Sequence, residues 1–320
     1  MDLIGTEPYR RLGFKYSICW MCTWRCNLKC QYCGVYHIRE GHMPGPEGGS
    51  LAGEFREKDA KVPYQSWIDA FNKLDGPAVI DISGGEPFLF PNMFEIIEGT
   101  EEYHQWAITS NLCASTVEQL LSLPKNRIKG MTASFHLCNP DHEGFFTKIG
   151  ALADYGIPLN VNFVAHPSQL SYVKAIHRRV VDDMGIALTL EPYSGGDVVP
   201  FRGYNKKELD FLGNYWGCEI FTNDEGKSFA QQSRDIRERM LEPEKQEVVH
   251  CNAGVTRFMI APDGTMYPCN VMYMKARDKA IGNFLGEWKL HREFHRCALP
   301  CTCGGDAENV VRVVGADWST

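Results

Sequence analysis

At 320 residues the chain is long enough for a barrel of roughly 200 residues plus a small appendage, around a sizeable core. An apolar fraction of 44% is ordinary for a globular protein, and a formal net charge of -7 gives no basic footprint, so nucleic acid is not an expected partner. No apolar run reaches bilayer-spanning length and residues 1–7 lack a secretory pattern, so the expectation is a cytoplasmic protein without a membrane partner. In a reducing compartment, thirteen cysteines point to metal or redox use rather than disulfides.

Residues 1–13 read as a lead-in, and 14–24 as a first, largely apolar strand. It feeds Cys26-Asn27-Leu28-Lys29-Cys30-Gln31-Tyr32-Cys33, three thiols spaced C-x3-C-x2-C. Three ligands on one tight loop suit a cubane iron-sulfur cluster and leave its fourth iron open to a small molecule. Cys19 and Cys22 offer a zinc alternative together with Cys30 and Cys33. In a strand, however, residues three apart point to opposite faces, which sets that pair poorly for one ion.

Residues 37–61 are rich in Gly, Pro, Glu and Ser and read as a loop, either a flap over the site or an insertion. Tyr64, Trp67, Ile68, Phe71 and Leu74 form a helical stripe behind Pro63. The strand at 78–83 runs into Gly84-Gly85-Glu86-Pro87, where two glycines permit close backbone approach and Glu86 supplies an anionic acceptor. Alternation then continues, with helices near 92–102, 116–123, 143–155, 170–184 and 206–215 and strands near 106–109, 128–135, 159–165 and 186–191. Strand ends carrying Ser110-Asn111, Ser134-Phe135-His136, Asn160-Val161-Asn162 and Glu191 recur about 25 to 31 residues apart, the length of a strand-helix unit. The fold class is therefore α/β, a partial TIM-like barrel of six strand-helix units over 14–217, with its site at the C-terminal mouth. Cys138, Glu191 and Arg202 are candidate catalytic residues on mouth loops. A packed thiol or a solvated arginine would also explain two of them.

After a linker at 218–250, Cys251, Gly264 and Cys269 flank a hairpin with Asp263-Gly264 at its turn, and Cys297, Cys301 and Cys303 follow. A hairpin brings its flanking cysteines together, as a shared cluster requires. Residues 251–303 then form a small hairpin-plus-helix domain, with a tail at 304–320.

The thiol loop with Tyr32 before its last cysteine, and Gly84-Gly85-Glu86-Pro87 roughly fifty residues on, resemble the radical S-adenosylmethionine (SAM) superfamily. The resemblance implies a [4Fe-4S] cluster on Cys26, Cys30 and Cys33, with SAM chelated at its open iron. Tyr32, Gly84, Gly85, Glu86, Pro87, Ser110, Asn111, Ser134, His136, Asn160 and Asn162 would contact SAM, the Gly-Gly-Glu-Pro segment at its ammonium. The tail resembles SPASM/twitch extensions, which implies one auxiliary [4Fe-4S] cluster on Cys251, Cys269 and two of Cys297, Cys301 and Cys303. It also implies an electron donor such as flavodoxin or ferredoxin. The expected reaction is oxidation, dehydration or epimerisation of a sugar-like or aminocyclitol-like molecule, with peptide modification and a non-catalytic iron-sulfur protein as alternatives.

Overall fold

The structure is a computed structural model that describes residues 14–30, 32, 33, 61–191, 193, 204–213, 249–292 and 295–297. The expected flap at 37–61 falls outside these residues except for Lys61, as do Arg202, Cys301, Cys303, nearly all of the linker and the tail. Six strands alternate with helices: β1 (Tyr16–Thr23), α1 (Tyr64–Asn72), β2 (Ala78–Gly84), α2 (Met93–Gly99), β3 (Gln105–Ser110), α3 (Val117–Leu121), β4 (Ile128–Phe135), α4 (His142–Tyr155), β5 (Leu159–Val164), α5 (Leu170–His177), β6 (Ala187–Glu191) and α6 (Lys206–Gly213). The helix expected to run to 184 keeps its α-form only to His177, and Arg178–Asp183 is a π-helical turn.

Local chemistry explains the boundaries. Thr116 and Gln119 form a capping box at α3. Asp141 accepts from the Gly144 N–H at the start of α4, and Gly156, at φ 87°, ends that helix in the left-handed region that glycine enters without strain.

β1 to β6 pair in sequence order, all parallel. Parallel pairing sends every strand's C-terminal end to one edge, so the loops after β1 to β6 share one mouth. On the other side of β1 lies β8 (Arg257–Ile260), parallel to it, followed by the antiparallel strands β9 (Thr265–Tyr267) and β10 (Gly282–Asn283). Among the described residues the C-terminal hairpin thus continues the barrel sheet, giving nine strands. The hairpin turn lies at Ala261 to Gly264, with Gly264 at φ 83°. A second ribbon pairs β7 (Val249–Cys251) with β11 (His295–Cys297).

Buried parallel sheets are usually apolar on both faces. Across β2 to β6 this one is mainly apolar on one face, whereas at β1, β8 and β9 the other face holds a small apolar cluster around Met259 and Tyr273. Trp20, Ile80, Ile82, Trp106, Ile108, Ala133, Phe135, Val161, Phe163, Leu188 and Leu190 are buried in one core with Trp67, Phe71, Ile96, Phe145, Ile149 and Val173 of the helices. Trp20 is its centre, with the Trp67 ring at 4.8 Å and those of Phe71 and Phe90 at 5.3 Å. The alternate positions carry Ser17 and Cys19, Asp81 and Ser83, Thr109, Thr132 and Ser134, Asn160 and Asn162, and Thr189 and Glu191. Register aligns them across strands, Thr132 with Asn160, Ser134 with Asn162 and Asn162 with Thr189. The sheet therefore presents a polar concave face to its lumen, and the mouth opens above it.

Cys19 and Cys22 bear out the two-face argument. Cys22 is buried in the main core and its thiol contacts the Ser83 carbonyl at 3.5 Å, whereas Cys19 packs in a separate cluster with Trp24, Met259 and Tyr273. Burial pushes the Cys19 thiol up to about 12, with the Asp81 carboxylate adding to the shift, so it is held as a neutral thiol.

Candidate active site

The thiol loop leaves β1 at Thr23 and is held by the backbone. Gly85 N–H donates to the Thr23 carbonyl and Glu86 N–H to the Arg25 carbonyl, each at 2.7 Å. A Cβ on Gly84 would meet the Thr23 oxygen at 2.4 Å, and one on Gly85 the Arg25 oxygen at 2.1 Å. Only glycine lets these two backbones lie this close. The two glycines thus clamp the root of the thiol loop.

Glu86 does something the sequence did not reveal. Its side chain is fully buried, and both carboxylate oxygens are engaged. Oε1 accepts from Ser110 Oγ at 2.7 Å and from Phe88 N–H at 3.1 Å, and Oε2 accepts from Asn111 N–H at 2.8 Å. Burial holds this carboxyl above its ordinary range, while the three donors and Lys148 oppose that shift. The carboxylate is therefore committed to tying the β2 loop to the β3 loop, which leaves the backbone of this segment to face any ligand.

The circuit closes through Asn111. Its Nδ2 donates to Asn27 Oδ1 at 3.0 Å and to Cys26 Sγ at 3.7 Å, and Leu28 N–H reaches the same sulfur at 3.4 Å. Leu112, next in the chain, stands at φ 60°, unusual for a bulky residue. Its N–H bonds to Ser110 Oγ at 2.9 Å and its carbonyl accepts from Lys148 Nζ at 2.6 Å, so two partners hold the strained turn.

Cys138 sits in the loop after β4, in a turn closed by the Asn139 N–H to the His136 carbonyl at 2.9 Å. Its sulfur lies 3.3 Å from that of Cys30. Burial raises the Cys30 thiol, and the sulfurs of Cys138, Cys33 and Cys26 raise it further. Three neighbouring thiols thus act on Cys30 at the mouth.

Tyr32 and His136 meet at 2.8 Å between the hydroxyl and Nδ1, with Tyr32 also stacked near His166, which in turn packs edge-on against Tyr193. Burial lowers His136 to about 4 and raises Tyr32, so at neutral pH a neutral phenol shares this hydrogen bond with a neutral imidazole. Farther round, Asn160 Oδ1 accepts from Thr189 Oγ1 at 3.0 Å. Asn162 Oδ1 is buried and has no hydrogen-bond partner among the described residues. Burial alone raises the Glu191 carboxyl. Arg202 and Pro192 lie outside the described residues.

Of the C-terminal cysteines, the β7–β11 ribbon brings Cys251, opposite His295, within two register positions of Cys297, opposite Val249. Cys269 caps α7 (Asn270–Lys275), its sulfur accepting from Met272 N–H at 3.5 Å.

Among the described residues no group of three or more His, Cys, Asp or Glu is arranged to hold a single metal ion. A cubane spreads its ligands over separate irons, and Cys26, Cys30 and Cys33 lie on one loop whose root is fixed by backbone bonds. The Cys26 sulfur is also placed as an acceptor of two N–H groups, as a thiolate ligand requires. The chemistry of this donor set fits a [4Fe-4S] cluster.

No protein-family model matches the sequence. Native anSMEcpe with bound AdoMet, an anaerobic sulfatase-maturating enzyme, matches with a TM-score of 0.52 over 85% of this chain and 79% of that one, at 15% identity. The same protein with AdoMet and Cp18Cys peptide gives 0.52 at 14% identity, over 85% and 78%. Streptococcus suis SuiB bound to S-adenosylmethionine gives 0.51 at 14% identity, over 88% and 67%. Both are radical SAM enzymes with SPASM/twitch domains. The chain shares the fold of these two enzymes. In that fold the thiol loop after β1 and the clamp after β2 stand at the mouth of the parallel sheet. Among the described residues no helix is long and apolar enough to cross a membrane.

Proposed function

We propose that this chain is a radical SAM enzyme acting on a small polar substrate. The observation that carries the reading is the thiol loop itself, clamped by Gly84 and Gly85 at the mouth of a polar lumen. Cys26, Cys30 and Cys33 would hold a [4Fe-4S] cluster, and that group would supply the electron for reductive cleavage of SAM and hence for hydrogen abstraction from a substrate C–H. The protein's part is to orient and enclose. Asn111 and Leu28 hold Cys26, Glu86 keeps the β2 and β3 loops together, and Tyr32 with His136 walls one side. Ser134, Asn160 and Asn162 stand on the lumen face below.

Hydroxyl and amide groups on that face suit a ligand rich in hydrogen-bonding groups, such as a sugar or aminocyclitol. Glu191 is a carboxylate that an amine would satisfy. Oxidation, dehydration or epimerisation are the outcomes proposed for such a substrate. Cys251, Cys269, Cys297 and one of Cys301 and Cys303 are proposed to hold one auxiliary [4Fe-4S] cluster, the β7–β11 pairing supporting the first and third. Flavodoxin or ferredoxin is the proposed electron donor.

A peptide substrate is the second reading, favoured by the likeness to anSMEcpe with a bound peptide. To separate the two, the reconstituted, reduced protein is given SAM and either amino sugars and aminocyclitols or cysteine-containing peptides. The proposal expects 5'-deoxyadenosine above the SAM-only level with the former. A rise with peptides alone reverses the substrate assignment.

A further inference from the structure

Cys138 belongs to neither the three-cysteine motif nor the C-terminal set, yet its sulfur is 3.3 Å from that of Cys30. Its place is fixed by local structure. The His136 to Asn139 turn presents it, Asn139 Oδ1 accepts from Asp141 N–H at 2.9 Å, and the His142 ring meets the Leu137 carbonyl at 3.2 Å. Either sulfur can be the donor when both are thiols. A ligand cysteine is a thiolate and has no proton to give. With the cluster in place, only Cys138 can supply the S–H.

We propose that Cys138 is a positioning residue that donates a hydrogen bond to the Cys30 ligand sulfur and thereby makes the SAM-binding cluster easier to reduce. This rests on the assignment of Cys26, Cys30 and Cys33 to that cluster. One-electron reduction adds negative charge that spreads onto the ligand sulfurs, and a donor aimed at one of them stabilises the reduced state more than the oxidised one. Asn111 makes the corresponding contact to Cys26 from β3. Two neighbouring strand ends each contribute one donor to a different ligand.

The test is an EPR-monitored redox titration of the reconstituted protein, following the signal that SAM perturbs. The signal that SAM leaves unchanged, from the auxiliary site, serves as internal control. C138A is expected to lower the reduction equilibrium constant about threefold, roughly 30 mV at 59 mV per decade for one electron, with the control signal unmoved. C138S, which keeps a donor, is expected to return most of the difference. Should C138A fail to load, C138V, which keeps the volume, is read in its place. An unchanged potential in the apolar variant overturns the inference. So does a C138S potential as low as that of C138A, because lost packing would then be the cause. If neither apolar variant takes up the cluster while C138S does, Cys138 belongs to ligation or assembly and the inference also falls. If the wild-type chain shows no SAM-perturbed signal, the cluster assignment itself fails, an outcome visible before any variant is compared.

Discussion

Ser110 Oγ donates to Glu86 Oε1 across 2.7 Å of buried space, joining the end of β3 to the loop after β2. The same hydroxyl accepts from Leu112 N–H, so one side chain serves the carboxylate and the strained turn together. A buried carboxylate is stable only while its donors are in place. S110A is expected to cost about 1–3 kcal/mol, the range for stranding buried polar partners. E86A is expected to cost about 1–3 kcal/mol as well, because it leaves three buried donors without their acceptor. Denaturant midpoints of the two variants and wild type check this. Equal midpoints would mean that Glu86 does not tie the β2 and β3 loops together.

Gly85 makes a separate prediction. G85A places a methyl 2.1 Å from the Arg25 carbonyl, so the thiol loop must shift although no ligand has changed. The variant is expected to fold, with far-UV circular dichroism like wild type, but to take up less iron on reconstitution. Full iron loading would contradict the clamp.

His104 gives the fold a pH limit. It is fully buried; its Nδ1 accepts from Ala78 N–H at 3.1 Å, and its Nε2–H faces the Phe71 carbonyl at 3.2 Å. Burial lowers it from 6.5 to about 4. Between these values the unfolded chain binds the proton and the folded one does not, so stability is fully present above about 6.5 and falls as pH drops toward 4. At about 1.36 kcal/mol per pKa unit, the whole loss is on the order of 3 kcal/mol. H104Q, which does not titrate, should flatten that acid limb in urea melts taken across pH. An unchanged slope would assign the limb to other groups.

Much of the fold was legible in the chain. Alternating strand and helix signals place β1 to β6 and their helices, and Asp263-Gly264 marks its hairpin. The polar lumen face can be read afterwards from Thr132, Ser134, Asn160 and Asn162, because a period of two in a parallel strand signals a face not packed by helices. Other relationships depend on contacts between distant residues. Nothing near Glu86 says that its carboxylate turns inward, since its partners Ser110 and Asn111 come from the end of a different strand. Cys138 meets Cys30 only because β1 and β4 send their loops to the same edge. The pairing of β8 with β1 was equally hidden, for a short apolar hairpin carries no mark of the edge it joins.

Cleavage of SAM by way of a cluster on Cys26, Cys30 and Cys33 is the step on which the proposed activity depends. The direct measurement is 5'-deoxyadenosine and methionine released from SAM by the anaerobically reconstituted, dithionite-reduced protein, beside the Cys26, Cys30 and Cys33 to Ala triple variant. Both products are expected in equal amounts from wild type and neither from the triple variant, with iron left in that variant only at the auxiliary site. A wild-type protein that holds its clusters, is reduced and still releases no 5'-deoxyadenosine, or a triple variant with undiminished iron, would contradict it.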